Sequence, residues 1–283
     1  MNLLNQVINC SDEELQSVVT NALAKMNNES NKTEYLGFVN GYNDLVTTFN
    51  GFIPLDTRIK YASFSMGDYS MKTTDFYYDF ARLIRENKLQ TKGQLVSFIE
   101  TFINSYFGIN YSGEDRREQV LNDIAFQTST SDDEYFEKLE NNEIGSLKGM
   151  NIAMCTERSA MAQNLLSLYG FDSFYCMGCI DNNDHLDAHC FNIVKAKNNY
   201  ILLDYSVPVP YIDKDKVGYL PFQGVISNEE FEQIISNQQM KSFPNYEYVK
   251  TDKGYQKKST ATNRTYRVGT FELELNQRIN IRC

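Results

Sequence analysis

The chain has 283 residues, with 27 Lys and Arg against 37 Asp and Glu, giving a formal net charge of −10. An acidic surplus of this size argues against a broad footprint on nucleic acid or on an anionic membrane. No apolar run reaches the ~18 residues of a membrane-spanning helix, and six cysteines in this length point to thiols, not a disulfide scaffold.

Hydrophobic residues make up 42%, enough to bury a core. The first residues, Met1 to Gln6, lack a basic segment followed by a long apolar one, so a cytoplasmic location is expected. Residues 11–27 read as a helix. Ser11 caps it with Glu14 in the capping-box position, and Leu15, Val18, Val19, Ala22, Leu23 and Met26 form an apolar stripe. Residues 33–70 give no clear pattern. The spacing predicts helices over 73–88 and 92–107, the second ended by Gly108, and a short one from Ser131 to about 141. The aromatic stripe Phe76-Tyr77-Tyr78 and Phe80 reads as packing.

After residue 145 the pattern changes. Residues 155–169 are apolar over too wide a face for a surface helix, so this helix is expected to be nearly buried, with Gly170 as its stop. Strands are expected at 171–180, 188–195 and 200–207, the last two joined by a turn at Lys197-Asn198. Val207-Pro208-Val209-Pro210 reads as a strand break, and Phe271, Leu273 and Leu275 as a final strand. Helices followed by antiparallel strands make an α+β fold.

Only two histidines occur, His185 and His189, so histidine chemistry must use one of them. Cys155 falls in the first turn of the buried helix. There the helix dipole and N–H groups without intrahelical acceptors favour a thiolate and offer an oxyanion site. A turn at Lys197-Asn198 pairs His189 with Ser206 and Phe191 with Asp204, so His189 and Asp204 share one face of the hairpin as diagonal neighbours. A thiol, a base and an orienting carboxylate can therefore meet. His185, in an acidic loop, reads as a solvated surface residue. Glu157 reads as a complement to the helix dipole, and Asn151 as its cap.

Gly149, Cys155, the helix ending at Gly170, His189-Cys190-Phe191-Asn192 and Tyr200 to Asp204 resemble the transglutaminase-like superfamily. That family has a papain-like core with Cys at a helix start and His and Asp on adjacent strands. Its His is commonly followed by x-Trp-Asn; here Phe191 takes the Trp position and Asn192 matches. The resemblance covers 145–207. It implies a buried Cys helix packed on an antiparallel sheet in a domain spanning 71–283, after a helical region of unknown role over 1–70.

It further implies a Cys155-His189-Asp204 triad acting on a carboxamide or peptide bond of a protein or peptide substrate, with no cofactor and no metal. Hydrolysis is expected over amine transfer, because cross-linking members wall the amine passage with tryptophan and this chain has none. The alternatives are an amine-transferring transglutaminase and an inactive peptide-binding module of the same fold. Cys176-x2-Cys179 with His185 and Cys190 has a zinc-knuckle order, but one spacing is too long and strand parity separates Cys176 from Cys179.

Overall fold

A computed structural model describes residues 3–30, 48–50, 70–71, 74–108, 113–141, 143–144, 148–181, 186–214, 216–237 and 241–268. The expected final strand around Phe271, the loop carrying His185 and most of 33–70 lie outside the described residues. In chain order the elements are α1 (Leu3–Asn9), α2 (Asp12–Ser30), β1 (Thr48–Asn50), β2 (Ser70–Met71), α3 (Thr74–Glu86), α4 (Lys92–Phe107), α5 (Glu114–Thr128), α6 (Asp132–Asn141) and β3 (Glu143–Ile144). Then come α7 (Cys155–Leu168), β4 (Ser173–Asp181), β5 (Leu186–Lys195), β6 (Tyr200–Asp213), β7 (Lys216–Ile226), α8 (Asn228–Asn237), β8 (Lys241–Thr251) and β9 (Gly254–Val268). The fold is α+β with a helical N-terminal region and a sheet. Among the described residues no helix is long and apolar enough to cross a membrane.

The described residues fall into two compact units. One is drawn from Met1–Gly41, Gly51–Ala153 and Asn164–Gly170, the other from Tyr42–Asn50, Met154–Gln163 and Phe171–Cys283. Helix α7 therefore gives residues 155–163 to the second unit and 164–168 to the first.

The first unit is helical. Ser11 and Glu14 form the expected reciprocal cap of α2, and Thr91 and Gln94 do the same for α4. Its core is aromatic: Phe76 and Phe80 of α3 pack against Phe102 of α4, Phe76 also meets Tyr106 and Phe107, and Phe80 meets Tyr169. Tyr77 is buried and its hydroxyl accepts from Asn164 Nδ2 at 2.6 Å. Asn151 does not cap α7. Its backbone N–H donates to Phe107 O, and its side chain lies so close to Gly108 that a Cβ there would collide with it.

The second unit holds a seven-stranded sheet. Strands β4, β5, β6, β8 and β9 pair in that order and β9 returns to β4, so five strands close into a barrel, with β1 and β7 attached outside the ring. The sheet is not purely antiparallel as expected. β8 runs parallel to β6 at Tyr211–Ile212, and α8 lies in the crossover that a parallel pair requires. The β5–β6 hairpin has the expected register, with Asn192 opposite Leu203 and Lys195 opposite Tyr200.

The expected break at 207–210 is not a break, since β6 runs on to Asp213. Its ladder with β7 shifts register between Asp204 and Pro208, and it pairs with β5 only up to Leu203 and with β8 only from Tyr211. Pro208 and Pro210 lie past that irregularity, where neither β5 nor β8 asks β6 for an N–H.

Candidate active site

Cys155 is the first residue of α7, which has 14 residues. The preceding Met154 donates its N–H to Glu157 Oε2 at 2.9 Å, so Glu157 caps the helix from its third position. The helix enters the unit through a polar layer. Ser159 Oγ donates to Cys190 O at 2.9 Å, and Gln163 Nε2 donates to Ser173 O at 3.1 Å. Asn192 Nδ2 donates to Gln163 Oε1 at 3.1 Å. Thus the Asn of the His-x-x-Asn segment ties its own strand to the Cys helix. Burying amides and hydroxyls is costly unless they find partners, and the donors of this layer find acceptors within it, while Asn192 Oδ1 has none among the described residues.

His189 Nε2 lies 2.7 Å from Asp204 Oδ2, and a carboxylate only accepts, so Nε2–H is the donor. His189 and Cys155 also share a side-chain hydrogen bond. With Nε2 committed to the carboxylate, Nδ1 is the nitrogen that serves the sulfur. Asp204 sits at the register shift in β6, and its Oδ1 accepts the N–H of Ser206 at 2.9 Å. The interrupted ladder frees that N–H, and the carboxylate takes it. Asp204 is fully buried and Cys155 is 7% exposed.

The electrostatics favour an ion pair. Burial opposes the imidazolium of His189, but the Asp204 carboxylate and Cys155 outweigh it and push its pKa up to about 10. Arg158 is buried too. Burial pulls its pKa down to about 10, while Glu157, Cys155 and Asp204 hold its charge in place. The other strand thiols differ: burial pushes Cys176 well up and Cys179 up to about 11. Among the described residues, no group of three His, Cys, Asp or Glu side chains is placed to hold a metal ion.

Two contributors escape a reading of the sequence alone. Tyr266 of β9 donates its hydroxyl to Asp204 Oδ2 at 2.7 Å and packs edge-on against Phe191, with ring centroids 5.1 Å apart. Burial and the Asp204 charge raise its pKa well above the usual phenol value, so it remains a donor. Its pairings with Ile180 of β4 and Lys241 of β8 place it there, and no local pattern announces them. Arg158 left a trace, because Cys-Thr-Glu-Arg opens a helix otherwise apolar on nearly every side. Set against known proteins, the chain matches no protein-family model, no curated protein and no solved structure.

Proposed function

We propose that the chain is a thiol-dependent hydrolase of a carboxamide or peptide bond, with a papain-like, transglutaminase-like core and a protein or peptide as its substrate. The observation that carries this reading is His189 bonded on one side to Asp204 and on the other to Cys155 at a helix start. In this reading His189 draws the thiol proton and holds it, leaving a thiolate that attacks the carbonyl carbon. The oxyanion forms at the first turn of α7, where N–H groups and the dipole favour negative charge. His189 gives its proton to the leaving amine or ammonia. Water, deprotonated by the now neutral imidazole, then releases the acyl group and restores the thiol. Asp204 keeps the imidazole oriented throughout, and Arg158 offsets the anions around it. No step calls on a cofactor or a metal.

Hydrolysis is favoured over amine transfer because transfer needs a passage that excludes water and guides an amine. In place of the family's tryptophan stands Phe191, fully buried against Tyr266. The test is a glutamine-containing peptide library incubated with the wild type and with Cys155→Ala, with and without excess primary amine. Ammonia or cleaved peptide, released by the wild type alone and unaffected by the amine, is the expected result. Efficient amine incorporation would make the protein a transglutaminase instead. Peptide binding by both proteins with no product would make it an inactive binding module.

A further inference from the structure

Cys190 follows His189 on β5, and the triad makes no use of it. Unlike the other strand thiols, it is not simply packed away. Cys176 belongs to the apolar core of the barrel unit, and Cys179 is buried near Arg267. The side chain of Cys190 is hydrogen-bonded to that of Cys155. Thr156 Oγ1 spans the two sulfurs, 4.0 Å from Cys155 Sγ and 3.6 Å from Cys190 Sγ. The Tyr175 hydroxyl donates to Cys190 Sγ at 3.2 Å, and Ser159 Oγ fixes the Cys190 carbonyl at 2.9 Å. Helix and strand are held on both sides of the sulfur pair. A structural thiol needs no such arrangement beside a nucleophile.

We propose that Cys155 and Cys190 form a reversible oxidation site, closed by peroxide into an intramolecular disulfide that takes the nucleophile out of use. The site rests on the reading of Cys155 as the reactive thiol and adds a regulator to it. In the first step the Cys155 thiolate attacks one oxygen of hydrogen peroxide. The O–O bond breaks, hydroxide leaves, and the proton held on His189 turns it into water. Cys155 is now a sulfenic acid. In the second step Cys190 sulfur attacks Cys155 Sγ, the S–O bond breaks, and the hydroxide departs with the Cys190 proton as a second water. Two thiols are oxidised by two electrons and one peroxide is reduced to two waters.

The division of labour follows from the surroundings. Cys155 stands at the helix start beside the imidazolium. Cys190 is kept protonated by the neighbouring Cys155 and by burial, so it does not compete for peroxide. Without a second thiol the sulfenic acid goes on to sulfinic acid, which reductants such as dithiothreitol do not reverse. Cys190 intercepts it first. The final bond, about 2 Å long, needs the two sulfurs that flank Thr156 Oγ1 to draw together.

The test treats the reduced full chain with equimolar hydrogen peroxide, blocks thiols with N-ethylmaleimide under denaturation, and digests without reductant before mass spectrometry. The expected product is a cross-linked peptide joining Cys155 to Cys190, from which dithiothreitol regenerates both thiols. In Cys190→Ser, where each sulfinic acid consumes two peroxides, a twofold molar dose should carry Cys155 on to sulfinic acid. Recovery of Cys155 as sulfinic acid with Cys190 still a thiol in the wild type would overturn the site. So would a dominant cross-link between other cysteines, or both thiols returned unmodified. The readout is mass, not turnover. A chain that forms the bond yet hydrolyses no amide when reduced keeps the redox site and loses the hydrolase reading. An active chain that forms no bond does the reverse.

Discussion

Helices α3 and α4 bury rings, whereas residues 155–163 of α7 bury Thr156, Glu157, Arg158, Ser159 and Gln163. Both arrangements keep water out, but they do different things. The aromatic contacts around Phe76 and Phe80 are non-directional, and their contribution scales with the area covered. The polar layer adds less net stability per contact, since each hydrogen bond replaces one to water. It does, however, fix direction: Ser159 and Gln163 reach named acceptors on β4 and β5, and so set where Cys155 stands relative to His189. The barrel unit also has an apolar core of its own, around Phe191, Phe222 and Tyr266, so the polar layer on α7 adds placement to a unit whose bulk stability comes from burial, as it does in the helical unit.

The widest separation should come from Asp204→Asn. It leaves the rings untouched and should lower turnover by about 10²–10⁴-fold, by analogy with other triads in which the wrong tautomer is held. Steady-state rates on a hydrolysed peptide check this, and an unaltered rate would remove Asp204 from the mechanism. Phe80→Ala is the converse. It should cost about 3–5 kcal/mol in urea unfolding and leave the turnover of the folded fraction close to that of the wild type.

The third test uses pH. The His189 pKa rises from an ordinary 6.5 to about 10 on folding, so the protonated ring favours the folded state. That contribution is complete below about pH 6.5 and is lost as pH climbs toward 10. His189→Gln should flatten this decline, read as the wild-type minus variant difference in urea midpoint across the window. A difference that grows with pH would reverse the sign and exclude a raised pKa.

Smaller still, Tyr266→Phe keeps the ring and removes one donor from Asp204. A loss of about 0.5–1.5 kcal/mol is expected, with kcat lowered and KM unchanged if the hydroxyl positions the carboxylate. Smallest and purely structural is Thr91→Ala, which removes the cap of α4. It should cost about 1 kcal/mol in unfolding and leave kcat unchanged.

Much of this was legible in the chain. The Ser11-Glu14 and Gly170 signals bound real helices, and the Lys197-Asn198 turn gives the register that sets His189 near Asp204. What escaped did so for physical reasons. Helix α5 was missed because its apolar pattern is weak; Val120 is buried but Phe126 faces solvent. Strands β7 and β8 carry no motif that stands out without their neighbours, whereas α8 is announced by a capping box, Ser227 with Glu230, of the same kind as that of Ser11 and Glu14. Strand β9 is exposed on both faces over most of its length, so no alternation of apolar and polar residues marks it. Pro208 reads as a stop because nothing local shows that β6 stays paired with β7 there while β5 and β8 leave its other edge.

The closure of the barrel bears on the order of events in folding. Tyr266 reaches Asp204 across 62 residues of chain, and only after β9 has returned to β4. Pairings between segments so far apart form slowly, because the loop must be closed before the contact repays it. A nascent chain that has emerged through β6 already contains the thiol, the imidazole and the carboxylate, but the phenol that steadies the carboxylate is still to be made. Cys155 is therefore among the earlier parts of the candidate site to be synthesised and Tyr266 among the last, so completion of that site waits on the ring's final strand.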